Sequence, residues 1–165
     1  MKTVIVYGSM TGTTKTVAET LGAELQATVV AATDADAASL ENCDLLILGA
    51  STWGMGELQD DMADFLSTFD SLKVSASAGA VFGLGDQFGY ADSFVDGIAD
   101  MAQTLADNGI KRIGNWPNSG YLFSESRALN GDSFSGLPLD EDNESEKTEA
   151  RISAWAKQLK SEAGA

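Results

Sequence analysis

Short apolar runs alternate along this chain with longer amphipathic stretches, and that alternation limits the fold more than any other feature. The runs Thr3 to Tyr7, Ala27 to Ala32, Leu45 to Ala50 and Ala78 to Leu84 are too short for helices, and the first and third are strongly β-branched or aliphatic. They read as buried parallel strands. Between them apolar residues recur at helical spacing: Val17, Leu21 and Leu25; then Leu58, Met62, Phe65, Leu66 and Phe69; then Phe94, Ile98, Met101 and Leu105. A last helix carries Ile152, Trp155, Ala156 and Leu159, and the acidic stretch Asp140 to Glu149 suits its N-terminus. The second crossover, Thr33 to Asn42, has room for about two helical turns. Such βαβ repetition predicts an α/β fold with helices on both faces of a parallel sheet. At 165 residues and 44% apolar content, residues 1–165 are expected to form a single domain with a sizeable core.

Ligands of such folds bind beyond the carboxyl ends of the strands, where strand order reverses. Three loops there carry unusual residues. The first, Ser9-Met10-Thr11-Gly12-Thr13-Thr14, runs from an apolar strand straight into a helix. Free backbone N–H groups, the positive end of the helix dipole and four hydroxyls (Ser9, Thr11, Thr13, Thr14) can converge there on one anion. Gly8 and Gly12 are expected to let the backbone come close. No Gly-Lys-Ser/Thr follows to grip a triphosphate, the GxGxxG spacing is absent, and Lys15 is the only cation nearby. A single phosphate on neutral donors, as in a mononucleotide, fits best, although a helix capped by polar turn residues explains this loop alone equally well. The other two loops, Ser51 to Gly56 and Gly83 to Tyr90, each offer a large aromatic among glycines.

Composition removes whole classes of chemistry. With no histidine and one cysteine, Cys43, the chain has no intramolecular disulfide, no Ser-His or Cys-His nucleophile pair and no soft-ligand metal cluster. No catalytic residue and no metal ligand are therefore expected. Cys43 precedes the run Leu45 to Leu48 and reads as a packing residue at a strand entry. Only four apolar residues follow Met1-Lys2-Thr3 before Gly8, too few for a secretory core, and no run approaches a membrane span. A soluble, cytoplasmic protein without membrane insertion is the expectation. A net charge of −15, from 25 acids against 10 bases, opposes nucleic acid and anionic lipid and favours basic protein partners. Between Glu57 and Asp107 ten carboxylates face one base, Lys73, although a solvated face serving solubility alone would look the same.

Four stretches taken in order resemble the flavodoxins, the small FMN-carrying electron-transfer proteins, over nearly the whole chain. They are Ser-x-Thr-Gly-x-Thr at 9–14, Thr-Trp-Gly at 52–54, Gly-Asp-Gln-x-Gly-Tyr-Ala-Asp at 85–92 and Leu-Asp-Glu-Asp-Asn at 139–143. The flavodoxin fold is itself a type case of the switch-point rule, so the place of the site comes with the resemblance. The resemblance implies a flavodoxin-like, doubly wound three-layer sandwich around a five-stranded parallel sheet of order 2-1-3-4-5. An insertion, roughly Trp116 to Phe134, interrupts the fifth strand, whose halves are expected near Lys111 to Gly114 and Phe134 to Leu137. Its Gly-Tyr-Leu-Phe and Ser-Arg-Ala-Leu stretches are similar to those of the long-chain branch. In that branch the insertion has been linked to partner docking; a flap that stabilises the sheet edge accounts for it as well.

The resemblance also distributes roles. Ser9, Thr11, Gly12, Thr13 and Thr14 would hold the FMN phosphate, as the loop's own chemistry independently suggests. Trp53 and Tyr90 would flank the isoalloxazine, whose two faces gain from stacking and apolar contact. In relatives the peptide after the tryptophan turns over on reduction so that its carbonyl meets flavin N5, and Gly54 makes positive φ cheap there. Backbone atoms of Asp86 and Gln87 would meet the pyrimidine edge, and Asp142 the ribityl hydroxyls. Met10, Ser51, Thr52, Gly56, Gly85 and Asp92 complete the expected cofactor-binding set.

The implied function is a low-potential one-electron carrier that shuttles FMN between semiquinone and hydroquinone and so moves electrons between redox proteins. The resemblance implies an electron-transfer protein and not an enzyme, and for a carrier with one acidic face a monomer is the simplest expectation. Partners compatible with the family are ferredoxin/flavodoxin-NADP⁺ reductase, photosystem I, nitrogenase reductase and a 2-oxoacid oxidoreductase. The alternative is an FMN-dependent NAD(P)H or quinone reductase on the same fold, which would need a second-substrate pocket that no added motif supplies. A flavin-free interaction module is the third reading.

Overall fold

A computed structural model of the chain describes residues 1–164. Its elements in chain order are β1 (Thr3–Gly8), α1 (Thr13–Leu25), β2 (Thr28–Ala31), β3 (Leu45–Trp53), β4 (Glu57–Leu58), α2 (Asp60–Leu72) and β5 (Ala78–Leu84). There follow α3 (Gly97–Asp107), β6 (Trp116–Pro117), β7 (Leu129–Asn130), β8 (Ser133–Phe134), β9 (Leu137–Leu139) and α4 (Ser145–Glu162). The β-branched and aliphatic runs form the strands because their side chains are buried on both sheet faces. Val4, Ile5, Val6 and Leu45 to Leu48 are completely inaccessible.

The sheet has the order β2-β1-β3-β5-β9, all parallel, which is the doubly wound order expected. In register, Ile5 lies between Val29 and Ile47, Ile47 pairs with Ala80, and Leu84 with Leu139. The short β4 adds antiparallel to the end of β3 through Trp53 and Glu57. Alternate side chains feed two cores. On one face Val17 and Leu21 of α1 meet Ile152, Trp155 and Leu159 of α4 over Ile5 and Ile47. On the other Met62 and Phe69 of α2 and Ile98 and Met101 of α3 cover Val4, Val6, Leu46 and Leu48.

Two expectations need correction. Thr33 to Asn42 forms turns, not a helix. The Asp36 and Ser39 side chains each accept the other's backbone N–H at 2.9 Å, which satisfies the chain locally and competes with helical hydrogen bonds. The fifth strand is split as expected, but its second half is Leu137–Leu139, and Phe134 belongs instead to the small antiparallel sheet β6-β8-β7 of the insertion. The first half is reduced to a bridge between Arg112 and Gly79.

The insertion is anchored by aromatic packing. Phe134 is fully buried, with ring centroids of Tyr121 at 5.3 Å, Phe123 at 5.5 Å and Phe94 at 6.2 Å. Backbone N–H groups of Ser124 and Glu125 donate to Ala91 O, tying the insertion to the loop that follows β5.

Candidate functional site

The carboxyl ends of β1, β3 and β5 open onto a cleft. One wall is the first loop, contributed by Met10, Thr11, Thr13 and Thr14; a second is Ser51, Thr52 and Trp53 at the end of β3. Leu84, Gly85, Asp86 and Tyr90 form the third, and Glu141 and Asp142 close the mouth. Three segments expected from sequence to share a ligand are thus brought together with the loop after β9. Leu84 and Glu141 were not anticipated; the signals were Leu84's place as the last residue of a strand and Glu141's next to Asp142.

The first wall is built for an anion. Helix α1 starts after Gly12, whose φ of 91° an L side chain adopts only with strain, and no side chain caps it. Thr13 and Thr14 of its first turn line the cleft, and that turn holds no acidic residue. Ser9 Oγ accepts the Gly12 N–H at 3.0 Å, and Thr11 and Thr13 hydroxyls lie 3.3 Å apart. Ser9 and Gly12 shape the loop without lining the cleft. Gly8 serves differently from the expectation: a Cβ there would stand 2.1 Å from Gln59 Oε1, the N-cap that accepts from Met62 N, so its smallness admits α2 and not a ligand.

The second wall is a tight turn. Trp53 O accepts from Gly56 N at 3.2 Å, Gly54 has φ of 50° and Gly56 of 98°. Gly54 and Gly56 lie outside the cleft lining; Ser93 Oγ donates to Gly54 O at 3.4 Å, and Asp96 packs where a Gly56 Cβ would be. Thr52 Oγ1 accepts the Gly97 N–H at 2.9 Å and so fixes β3 to α3. Trp53 remains 39% exposed and Tyr90 46%, both on the cleft.

On the third wall the Asp86 carboxylate is hydrogen-bonded within the protein while Tyr90 faces the cleft. Asp86 accepts from Gly89 N and Phe88 N and from Asn143 Nδ2, and the Gly89 N–H above all lowers its pKa. Gln87 is 1% exposed and does not line the cleft; its N–H is taken by Asp140 at 3.1 Å. Among the described residues nothing accepts the Asp86 N–H, whereas that of Gln87 is taken. Asp92 is exposed and outside the lining. Burial, then the charges of Asp86, Asp140 and Glu141, raise the pKa of Asp142. Burial would raise Glu144 too, but hydrogen bonds from Lys147 and Gln87 and the charge of Arg151 together bring it below the ordinary value.

Residues 5–155 match the family model described as Flavodoxin. A flavodoxin of Nostoc sp. is 42% identical over 163 residues, covering 97% of this chain and 96% of its own. The chain belongs to the flavodoxin family. A flavodoxin of Klebsiella pneumoniae is 36% identical over 94% of this chain and 95% of its own. Among solved structures, the flavodoxin of Fusobacterium nucleatum bound to flavin mononucleotide superposes with a TM-score of 0.90 at 28% identity, covering 98% of this chain and 99% of that one. As in other flavodoxins, then, the cleft stands at the switch point between β1 and β3, where strand order reverses.

Proposed function

We propose that this chain carries electrons one at a time on FMN bound in the cleft, at low potential, between redox proteins in the cytoplasm. The observation that carries the reading is the joint presence, on one cleft, of an uncapped helix N-terminus and two half-exposed aromatics on facing loops. The fit is chemical. Uncapped N–H groups and the hydroxyls of Thr11, Thr13 and Thr14 suit a phosphate, and the apolar faces of Trp53 and Tyr90 suit a flat ring system. When bound, FMN supplies the one-electron chemistry, and the protein contributes binding, orientation and electrostatics.

The chain's carboxylates tune that chemistry. Asp86, Glu141 and Asp142 line the cleft, and negative charge added to a flavin there meets them. One charge about 10 Å away in high dielectric costs about 0.4 kcal/mol, or roughly 20 mV, before salt screening, so several depress the potential by tens of millivolts. Partners are redox proteins with basic docking surfaces: ferredoxin/flavodoxin-NADP⁺ reductase, photosystem I, nitrogenase reductase or a 2-oxoacid oxidoreductase. Their basic patches match the acidic surface, and steering raises encounter rates more than final affinity.

Anaerobic stepwise reduction of the FMN-loaded protein tests the reading. A long-wavelength absorption band after the first electron, before bleaching, is the expected result. Direct bleaching by two electrons would favour the reductase alternative, and failure to retain FMN would remove the site assignment.

A further inference from the structure

We propose that Gln87 is a positioning residue that couples the 116–134 insertion to the cleft, so that FMN affinity depends on an amide that does not reach the ligand. This rests on the FMN reading above. Gln87 follows Gly85 and Asp86, both of which line the cleft, yet its own side chain is buried and directed away from it. Its Nε2 donates one hydrogen to Asp140 Oδ2 at 2.9 Å and the other to Glu144 Oε1 at 2.6 Å, and its Oε1 accepts the N–H of Leu122 in the insertion. One amide thus joins the loop after β5, the loop after β9 and the inserted segment.

The connection closes on the site from two directions. Asp140, fully buried, also accepts from Asn143 N and Nδ2, and Asn143 Nδ2 reaches Asp86 Oδ1 at 2.8 Å, completing a ring from 86 through 143 and 140 back to 87. Glu141 and Asp142, at the mouth of the cleft, lie between ring members in sequence. On the other side Glu144 is paired with Arg151 at 3.3 Å, and that guanidinium lies 4.3 Å from the ring centre of Tyr121, next to Leu122. Tyr121 in turn donates to Pro138 O at 2.8 Å, just before the loop.

Only an amide satisfies position 87. It must give two hydrogens to two carboxylates and accept one from a peptide; a carboxylate has no hydrogen to give, and a hydrocarbon neither gives nor accepts. Loss of the amide leaves two carboxylates short of a donor and frees the insertion from the loop that carries Asp86.

The test compares the parental chain with Gln87→Met, Gln87→Glu and Leu122→Pro, the last of which deletes the N–H donor of an exposed residue. FMN Kd is read by flavin fluorescence, the thermal midpoint without FMN, and amide hydrogen exchange across 85–90. Gln87→Met is expected to raise Kd about tenfold, which is about 1.4 kcal/mol, and to speed exchange across 85–90. Leu122→Pro is expected to move both in the same direction by less. Gln87→Glu is expected to bind FMN weakly at neutral pH and to recover as pH falls, because the protonated carboxyl regains one donor. A glutamine that serves the fold alone would lower the thermal midpoint and leave Kd parental in every variant, and that result overturns the proposal. A parental Kd for Leu122→Pro alone overturns the link to the insertion. If Gln87→Met does not fold, the pH profile of Gln87→Glu decides. If the parental chain itself takes up no FMN, the function falls separately; coupling then stands or falls on whether Gln87→Met speeds exchange across 85–90 in the flavin-free chain.

Discussion

Asp142 and Asp86 stand on the same cleft and titrate in opposite directions, which makes their neighbourhoods readable by pH. Asp86 is held low by peptide hydrogens, first that of Gly89, so it supports the fold above the ordinary carboxylate range and loses that support as pH falls through its own, lower pKa. Asp142 is raised by burial and by Asp86, Asp140 and Glu141. The folded chain holds its proton more tightly than the unfolded chain does, so ionising it costs stability, nothing below the ordinary carboxylate range and the full amount above the raised pKa. Because Asp142 is exposed and water screens these charges, Asp142→Asn should raise the melting temperature of the FMN-free protein by about 1 °C or less at pH 7 and leave it unchanged at pH 3. Thermal scans at the two values check this; an equal shift at both would remove the electrostatic cause. At this scale the sequence is least transparent. Gly8 looks like a ligand-facing glycine until Gln59, 51 places on, is seen against it, and Gln87 looks like a cofactor contact until Asp140 claims its N–H. Local spacing carries no record of partners so far along the chain.

The elements were more legible. Strands β1, β3 and β5 were plain because β-branched and aliphatic runs of that length, bounded by glycine or polar residues, have few other uses. Helices α1 to α4 showed their apolar stripes. The second crossover misled because its length leaves room for about two helical turns, while Asp36 and Ser39 spend their hydrogen bonds on a turn. The fifth strand misled because Phe134, an apolar residue beside a strand, is taken by the insertion's own aromatic cluster. That cluster makes the insertion part of the core. Phe134→Ala is expected to cost about 3–5 kcal/mol and to lower the melting temperature by roughly 10 °C. Urea unfolding measures it, and a cost under about 1 kcal/mol would return the insertion to the status of a surface flap.

For the whole molecule, charge is the organising quantity. Nine of the ten carboxylates between Glu57 and Asp107 reach solvent at least partly; the exception, Asp96, is buried and pairs with Arg127 at 3.6 Å. Asp60, Asp61, Asp64 and Asp70 lie on α2 and Asp100 and Asp107 on α3, so one face of the sandwich bears most of them. Among the described residues no helix is long and apolar enough to cross a membrane. Stopped-flow reduction by a basic ferredoxin-NADP⁺ reductase should slow about tenfold or more between low and high salt. A rate indifferent to salt would leave the acidic face to solubility.

The pairing of α1 with α4 sets a schedule for biosynthesis. The two helices share one core, yet all of β2, β3 and β5 are made between them. Until α4 is made, Val17 and Leu21 lack Ile152, Trp155 and Leu159 as partners. An apolar face so long without its lid is one that chaperones can hold, and it makes completion of the domain wait for α4.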